Sequence, residues 1–262
     1  MDDKPAGYAH SLQEFGLHHA ELIAQPIMQL VKPQSLLDVG CGLGNFVKAF
    51  QNSGVKDVYG IDGVWIKQDQ LLISADYFKA VNLEASFDLG RWFDCVICLE
   101  VAEHIHPASS LRFVESIARH SDTVVFSAAL PGQGGQHHIN EQPFGFWLAL
   151  FQQAGYSVFD VFRPAFWQNA EIPWWYRQNM FLLSRKPSII TAHEAFEIHA
   201  EGIRDYFHPG AIAEKNVMIA NLQHKVDQLE SQYNGLIKGK YKWATYLGIL
   251  FGKLKTAIGI TT

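Results

Sequence analysis

Glu100, Glu103 and His104 stand as E-x-x-E-H within Glu100-Val101-Ala102-Glu103-His104-Ile105-His106. Carboxylate oxygens and an imidazole this close together suit three kinds of chemistry. They can hold a hard or borderline divalent ion such as Mg²⁺, Mn²⁺ or Zn²⁺. One of them can act as a base toward a hydroxyl, which is a poor nucleophile until deprotonated or metal-bound. Or they can order a loop through hydrogen bonds. A further source of imidazole lies downstream in Gln136-His137-His138-Ile139-Asn140-Glu141. Glu100, Glu103 and His104 are the candidate metal ligands of the run itself. Glu103, His104 and His138 are the candidate catalytic residues.

A scaffold that positions these groups is written upstream. In Leu36-Leu37-Asp38-Val39-Gly40-Cys41-Gly42-Leu43-Gly44-Asn45-Phe46 an apolar run carries an acid, and three alternating glycines lead into a helical pattern. Glycines so placed let a strand turn tightly into a helix while the backbone approaches a ligand. A dinucleotide fingerprint runs G-x-G-x-x-G and receives a pyrophosphate, which a carboxylate such as Asp38 would repel. The run resembles motif I of class I S-adenosylmethionine (SAM) methyltransferases. The pattern continues in Val58-Tyr59-Gly60-Ile61-Asp62-Gly63, whose acid lies about 20 residues on, the usual offset for gripping ribose hydroxyls. It continues again in Val81-Asn82-Leu83-Glu84, and then in Trp92-Phe93-Asp94-Cys95-Val96-Ile97-Cys98-Leu99-Glu100. The resemblance implies that Asp38, Gly40, Cys41 and Gly42 hold the methionine end and Asp62 with Gly63 the ribose. Asn82 and Leu83 would meet the adenine, with Leu99 closing the site; many relatives carry Asp in place of Asn82.

The elements follow from apolar spacing. Residues 11–31 repeat at helical intervals. Strands are expected near 35–39, 57–61, 76–81, 93–98 and 122–127, with helices near 43–52, 64–73, 108–119 and 143–154. That alternation predicts an α/β, Rossmann-like doubly wound sheet. The E-x-x-E-H run then lies at the carboxyl edge of the fourth strand, where open α/β sheets bind ligands. Tyr156–Phe162 and Met180–Leu183 supply two later strands, and the family closes its sheet with an antiparallel last strand.

Composition sets limits. A hydrophobic content of 48% with 18% charged residues describes a globular chain, and 262 residues allow one large domain or a domain with an appendage. A net charge of −5 argues against broad nucleic-acid binding, and no DNA partner is expected. Cys95 and Cys98 have C-x-x-C spacing, but residues three apart on a strand face opposite ways, so they read as core thiols. Neither a signal-peptide core nor an apolar run of about 20 residues is present, so a cytoplasmic location is expected.

The composition changes at Pro187, dividing the chain into a methyltransferase domain at 1–187 and a helical, partly coiled-coil appendage at 188–262. Ile219, Leu222, Val226, Leu229, Tyr233 and Leu236 recur in steps of three and four, a heptad seam favouring a parallel homodimer or packing against the parent domain. From 237 on there are five lysines and no acid around Trp243–Phe251, a pattern that suggests peripheral membrane contact.

The loop Phe126-Ser127-Ala128-Ala129-Leu130-Pro131-Gly132-Gln133-Gly134-Gly135-Gln136-His137-His138-Ile139-Asn140-Glu141-Gln142-Pro143 resembles that of bacterial methyltransferases associated with glycan and surface-polysaccharide synthesis. The E-x-x-E-H run is similar to that of ubiquinone-pathway O-methyltransferases and of small-RNA 2′-O-methyltransferases; in the latter a further histidine follows the fifth strand, which implies His138 as the fourth member of a metal set Glu100, Glu103, His104 and His138, with His137 its rival. These resemblances imply methyl transfer from SAM to a hydroxyl, foremost on a sugar or glycan intermediate. The alternatives are a phenolic acceptor of the quinone pathway, an RNA 2′-hydroxyl, and a non-catalytic SAM-binding scaffold. Arg163-Pro164-Ala165-Phe166-Trp167 and Ile172-Pro173-Trp174-Trp175-Tyr176 would offer aromatic faces and a cation to a glycosyl acceptor. His10, His18 and His19 lie where relatives close the site with an N-terminal helix.

Overall fold

The computed structural model describes residues 16–186, 197–198 and 207–257. The chain divides into two compact units, residues 1–208 and 209–262. In the first unit, α1 (Leu17–Leu30) leads into β1 (Ser35–Val39), α2 (Asn45–Asn52), β2 (Asp57–Asp62), β3 (Phe78–Ala80) and β4 (Cys95–Leu99). There follow α3 (Ser110–Ala118), β5 (Thr123–Ser127), α4 (Phe144–Gln153), β6 (Ser157–Phe159), α5 (Phe162–Phe166), α6 (Trp174–Asn179), β7 (Phe181–Ser184) and β8 (Glu197–Ile198). The second unit holds one helix, α7 (Pro209–Ala257).

One sheet joins the strands in the order β3-β2-β1-β4-β5-β7-β6-β8, and β7 runs antiparallel to both β5 and β6. The doubly wound sheet and its antiparallel closing strand are as expected. Strands β1, β4 and β5 are covered on both faces, which is why they read as unbroken apolar runs. Cys98 belongs to the core on one face of the sheet and Cys95 to the core on the other, as their spacing required. The strand order reverses between β1 and β4, so the crevice beyond their carboxyl ends is the ligand-binding position of the fold.

Two expectations need correction. No α-helix forms over 64–73; the segment holds only a 3₁₀ turn at Gln68–Gln70. Its apolar residues serve tertiary contacts instead: the Leu72 N–H donates to the Leu43 carbonyl at 2.9 Å, and Ile73 packs on Gly44. The strand expected over Tyr156–Phe162 is Ser157–Phe159, because Phe162 already opens α5. The two compact units meet at 208/209, while the change in composition lies at Pro187. Residues 197–198 add β8 to the sheet, and the His208 N–H donates to Gln178 Oε1 at 2.6 Å.

Candidate active site

The glycine turn is built on left-handed backbone. Gly40, Gly42 and Gly44 have φ of 81°, 53° and 87°, a region that penalises any side chain. Gly40 also has no room for one, since a Cβ there would lie 2.3 Å from Val101 Cγ2. The turn is tied to β2 from both sides. Gly40 and Cys41 donate to the Ile61 carbonyl at 2.8 and 3.1 Å, while Gly42 donates to Asp62 Oδ2 at 2.8 Å. Asp62 Oδ1 accepts from the Gly63 N–H at 2.6 Å, so this carboxylate shapes two loops at once.

Over the turn opens a cavity of about 750 Å³. Every residue expected to bind the cofactor lines it, from Asp38 on β1 to Leu99 on β4. Asn82 Oδ1 accepts from the Glu84 N–H at 3.0 Å, leaving its amide nitrogen as the polar group it offers a ligand. His19 of α1 also lines the cavity; His18 does not, and His10 lies outside the described residues. Val64, Trp65, Asn45 and Phe46 complete the wall. Sequence spacing assigns no role to any of these four: Val64 and Trp65 stand in a loop with no periodic signal, and Asn45 and Phe46 form the first turn of α2.

Asp38 sets the electrostatics of this cavity. It is 3% exposed, and its Oδ2 has no hydrogen-bond partner. Burial, and then the neighbouring Asp62 charge, hold its carboxyl well above the ordinary carboxylate range. A pKa raised on folding favours the folded state below the unfolded value and loses that contribution as pH rises through the folded value. A cationic ligand beside Asp38 would favour its charged form and oppose that rise. SAM, with its ammonium and sulfonium groups, is such a ligand.

Beside the cavity the structure brings Glu103, His104 and His138 together, with one candidate ligand atom from each within 4.8 Å of the others. Glu103 and His104 follow β4 on a 3₁₀ turn, and the Glu103 carbonyl accepts the Ile139 and Asn140 N–H groups at 3.0 and 2.9 Å. The loop after β5 is thus pinned directly onto the E-x-x-E-H turn. His104 Nδ1 lies 3.2 Å from the His137 carbonyl, and His138 Nδ1 lies 2.8 Å from Glu141 Oε1. A carbonyl and a carboxylate can only accept, so each Nδ1 carries a proton, and a ring in its neutral form keeps its lone pair on Nε2. The two rings meet edge to face with centroids 4.9 Å apart. Gly135 makes space for the second ring, since a Cβ there would lie 2.3 Å from His138 Nε2.

Glu103 is fully buried, and neither carboxylate oxygen has a well-formed hydrogen bond. Burial, and then the charge of Glu100, push its carboxyl well above the usual range. Burial acts the same way on Glu141, but hydrogen bonds from His138, Gly134 and Gly132 outweigh it and hold that carboxyl below its ordinary value. Glu141 is accordingly the anion that fixes the His138 ring. A buried carboxylate, whose rise the Glu103 and Ala129 backbone N–H groups oppose, and two imidazoles engaged at Nδ1 fit a divalent ion, and the Glu141–His138 pair is the outer-shell arrangement that metal-ligating histidines usually carry.

Glu100 stands outside this group. Its oxygens accept from Asn179 Nδ2 at 3.1 and 3.3 Å and from Gln133 Nε2 at 3.2 Å. Burial raises its carboxyl, and the bonds from Asn179, Ser127 and Gln133 oppose that rise. Its φ of 56° marks a strained backbone held in place by its surroundings. Of the four candidate metal ligands the structure brings Glu103, His104 and His138 together, while Glu100 lines the cavity. His137 likewise lines the cavity and contributes its carbonyl rather than a ring.

The aromatic stretch splits by role. Tyr176 lines the cavity, and its phenol is pushed upward by burial, then by Glu100. Arg163 is buried, paired with Asp160 and stacked 4.3 Å over Phe181, so it is committed to the core rather than to an acceptor. Trp167 packs edge to face on His208 at 4.6 Å.

The profile of a methyltransferase-domain family matches residues 8–193. No curated protein matches the chain by sequence. Among solved structures, the sugar N-methyltransferase KedS8 of Streptoalloteichus sp. ATCC 53650 shares the fold with a TM-score of 0.53 at 18% identity, over 71% of this chain and 96% of its own. CalS10, the SAM-bound amino pentose methyltransferase of Micromonospora echinaspora, gives 0.51 at 17% identity, over 70% and 100%. DesVI of Streptomyces venezuelae gives 0.50 at 17% identity, over 66% and 94%.

Proposed function

The chain belongs to the methyltransferase-domain family, as a class I SAM-dependent methyltransferase, and we propose that it transfers the methyl group to a hydroxyl of a sugar or glycan intermediate. The observation that carries this reading is the Glu103–His104–His138 group at the rim of the cofactor cavity. A nitrogen acceptor already has its lone pair once neutral, whereas a hydroxyl needs its proton removed or its pKa lowered. This group is built for the second task. The sugar-sized acceptor is supported by the resemblance of the loop after β5 to glycan-pathway methyltransferases, and by the fold shared with KedS8 and CalS10.

In this reading the glycine turn and Asp38 receive the methionine end, Asp62 the ribose, and Asn82 with Leu83 the adenine. SAM supplies the methyl group together with its own leaving group. Glu103, His104 and His138 would hold a divalent ion, with Zn²⁺ or Mn²⁺ suited to two imidazoles and one carboxylate. Bound there, the ion would lower the pKa of an acceptor hydroxyl. Glu141 keeps the His138 lone pair on Nε2, and the His137 carbonyl does the same for His104. Glu103 stays shielded from solvent, and Trp65, Tyr176 and Ile139 give the cavity apolar surface against which a sugar face can lie. A second reading keeps the acceptor but makes His104 the base, because it lines the cavity whereas Glu103 and His138 do not.

The test is a panel of acceptors incubated with the full chain and SAM: nucleotide sugars, lipid-linked glycans, amino sugars and catechols. A methyl ether on a sugar hydroxyl is expected. Methylation confined to an amine, or to a catechol ring, would contradict the proposal.

A further inference from the structure

Helix α7 is 49 residues long, about 74 Å at 1.5 Å per residue. Its seam side chains all stand more than half exposed, from Ile219 at 52% through Val226 at 52% to Leu236 at 70%. The same heptad register runs back to Ile212 and on to Trp243, Leu247 and Leu250, which are also more than half exposed. Helices draw most of their stability from packing an apolar face, and a stripe this long has its face open to solvent.

We propose that a second copy of this chain covers the stripe, forming a parallel two-stranded coiled coil. The side-chain choices specify that partner. Ile212, Ile219 and Val226 are β-branched at the a positions, and Leu222, Leu229 and Leu236 occupy d, the combination that favours two parallel strands. Lys240 falls at an a position, where a single polar residue fixes register and strand number. Lys225 at g precedes Glu230 at e by five residues, so in a parallel pair each lysine faces the glutamate of the other copy. An antiparallel pair would not bring g against e. A lipid surface matches this stretch less well, since Asp227 and Glu230 would meet anionic headgroups.

Sedimentation equilibrium of the full chain at micromolar concentration tests this. The expected mass is twice 29.5 kDa. Leu229→Lys should give a monomer that binds SAM with unchanged affinity, because α7 forms its own compact unit. Orientation is read with Val226→Cys: the native cysteines are all buried, so mild oxidation should cross-link the introduced thiols. Mixing Lys225→Glu with Glu230→Lys should yield mostly the mixed dimer. A monomeric wild type overturns the proposal, whether or not it binds phosphatidylglycerol vesicles. So does a dimer untouched by Leu229→Lys, or an intact Val226→Cys dimer that does not cross-link.

Discussion

Glu103→Gln is expected to lower methyl transfer about 10²–10⁴-fold, the usual weight of a positioned acid–base or acceptor-activating group. SAM affinity should stay at the wild-type value. The substitution preserves shape in a fully buried site, and Glu103 lies outside the cavity that holds the cofactor. It also removes a carboxyl whose oxygens make no well-formed hydrogen bond. The metal-free variant should unfold no earlier than wild type, since the substitution removes the cost of burying an ionisable carboxyl while keeping its shape. Loss of activity without loss of stability is the signature of a functional carboxylate. Single-turnover rates, SAM titration and thermal unfolding on the same preparation would check all three. A variant with near wild-type turnover would make Glu103 a loop-ordering residue.

Gly40→Ala is expected to abolish SAM binding and to destabilise the first unit. Two effects coincide there. A non-glycine residue at φ 81° is strained, by about 1–2 kcal/mol. The new Cβ would lie 2.3 Å from Val101, and overpacking of that kind costs roughly 1–3 kcal/mol. Relief by moving the turn would pull Gly42 away from Asp62 and distort the cavity floor. Gly54→Ala separates the two effects, because Gly54 has φ 96° but nothing within 4 Å of where its Cβ would stand. That control should lose a similar backbone increment and keep full SAM affinity. Equal SAM binding by both variants would show that the turn tolerates a side chain and that its glycines serve the backbone alone.

Much of the site is legible from residue order because its cofactor half is local. Asp38, the three glycines, Asp62 and Asn82 each sit at the carboxyl end of a strand or just past it, so spacing along the chain maps onto spacing in the crevice. The acceptor half is not local. Glu100 and Glu103 look equivalent in the E-x-x-E-H run, yet they face different partners. Asn179 and Gln133 claim Glu100, and no spacing rule announces that contact. His138 rather than His137 brings its ring beside Glu103 and His104, and Glu141, three residues on, reaches back to hold it there. The missing helix at 64–73 has a similar cause: Ile66 and Ile73 are buried by tertiary contacts around the glycine turn rather than by one helical face. Arg163 reads in sequence as a ligand cation because a buried pairing with Asp160, three residues earlier, looks there like a surface charge.

The most direct test of the acceptor-activating group is bound metal and SAM measured together, by elemental analysis and calorimetry, on wild type and His138→Ala. The account predicts near-stoichiometric Zn²⁺ or Mn²⁺ in wild type, its loss in the variant, and SAM binding preserved in both. Metal-free wild type that still transfers methyl groups at full rate after chelation would contradict it, and would leave His104 as the base.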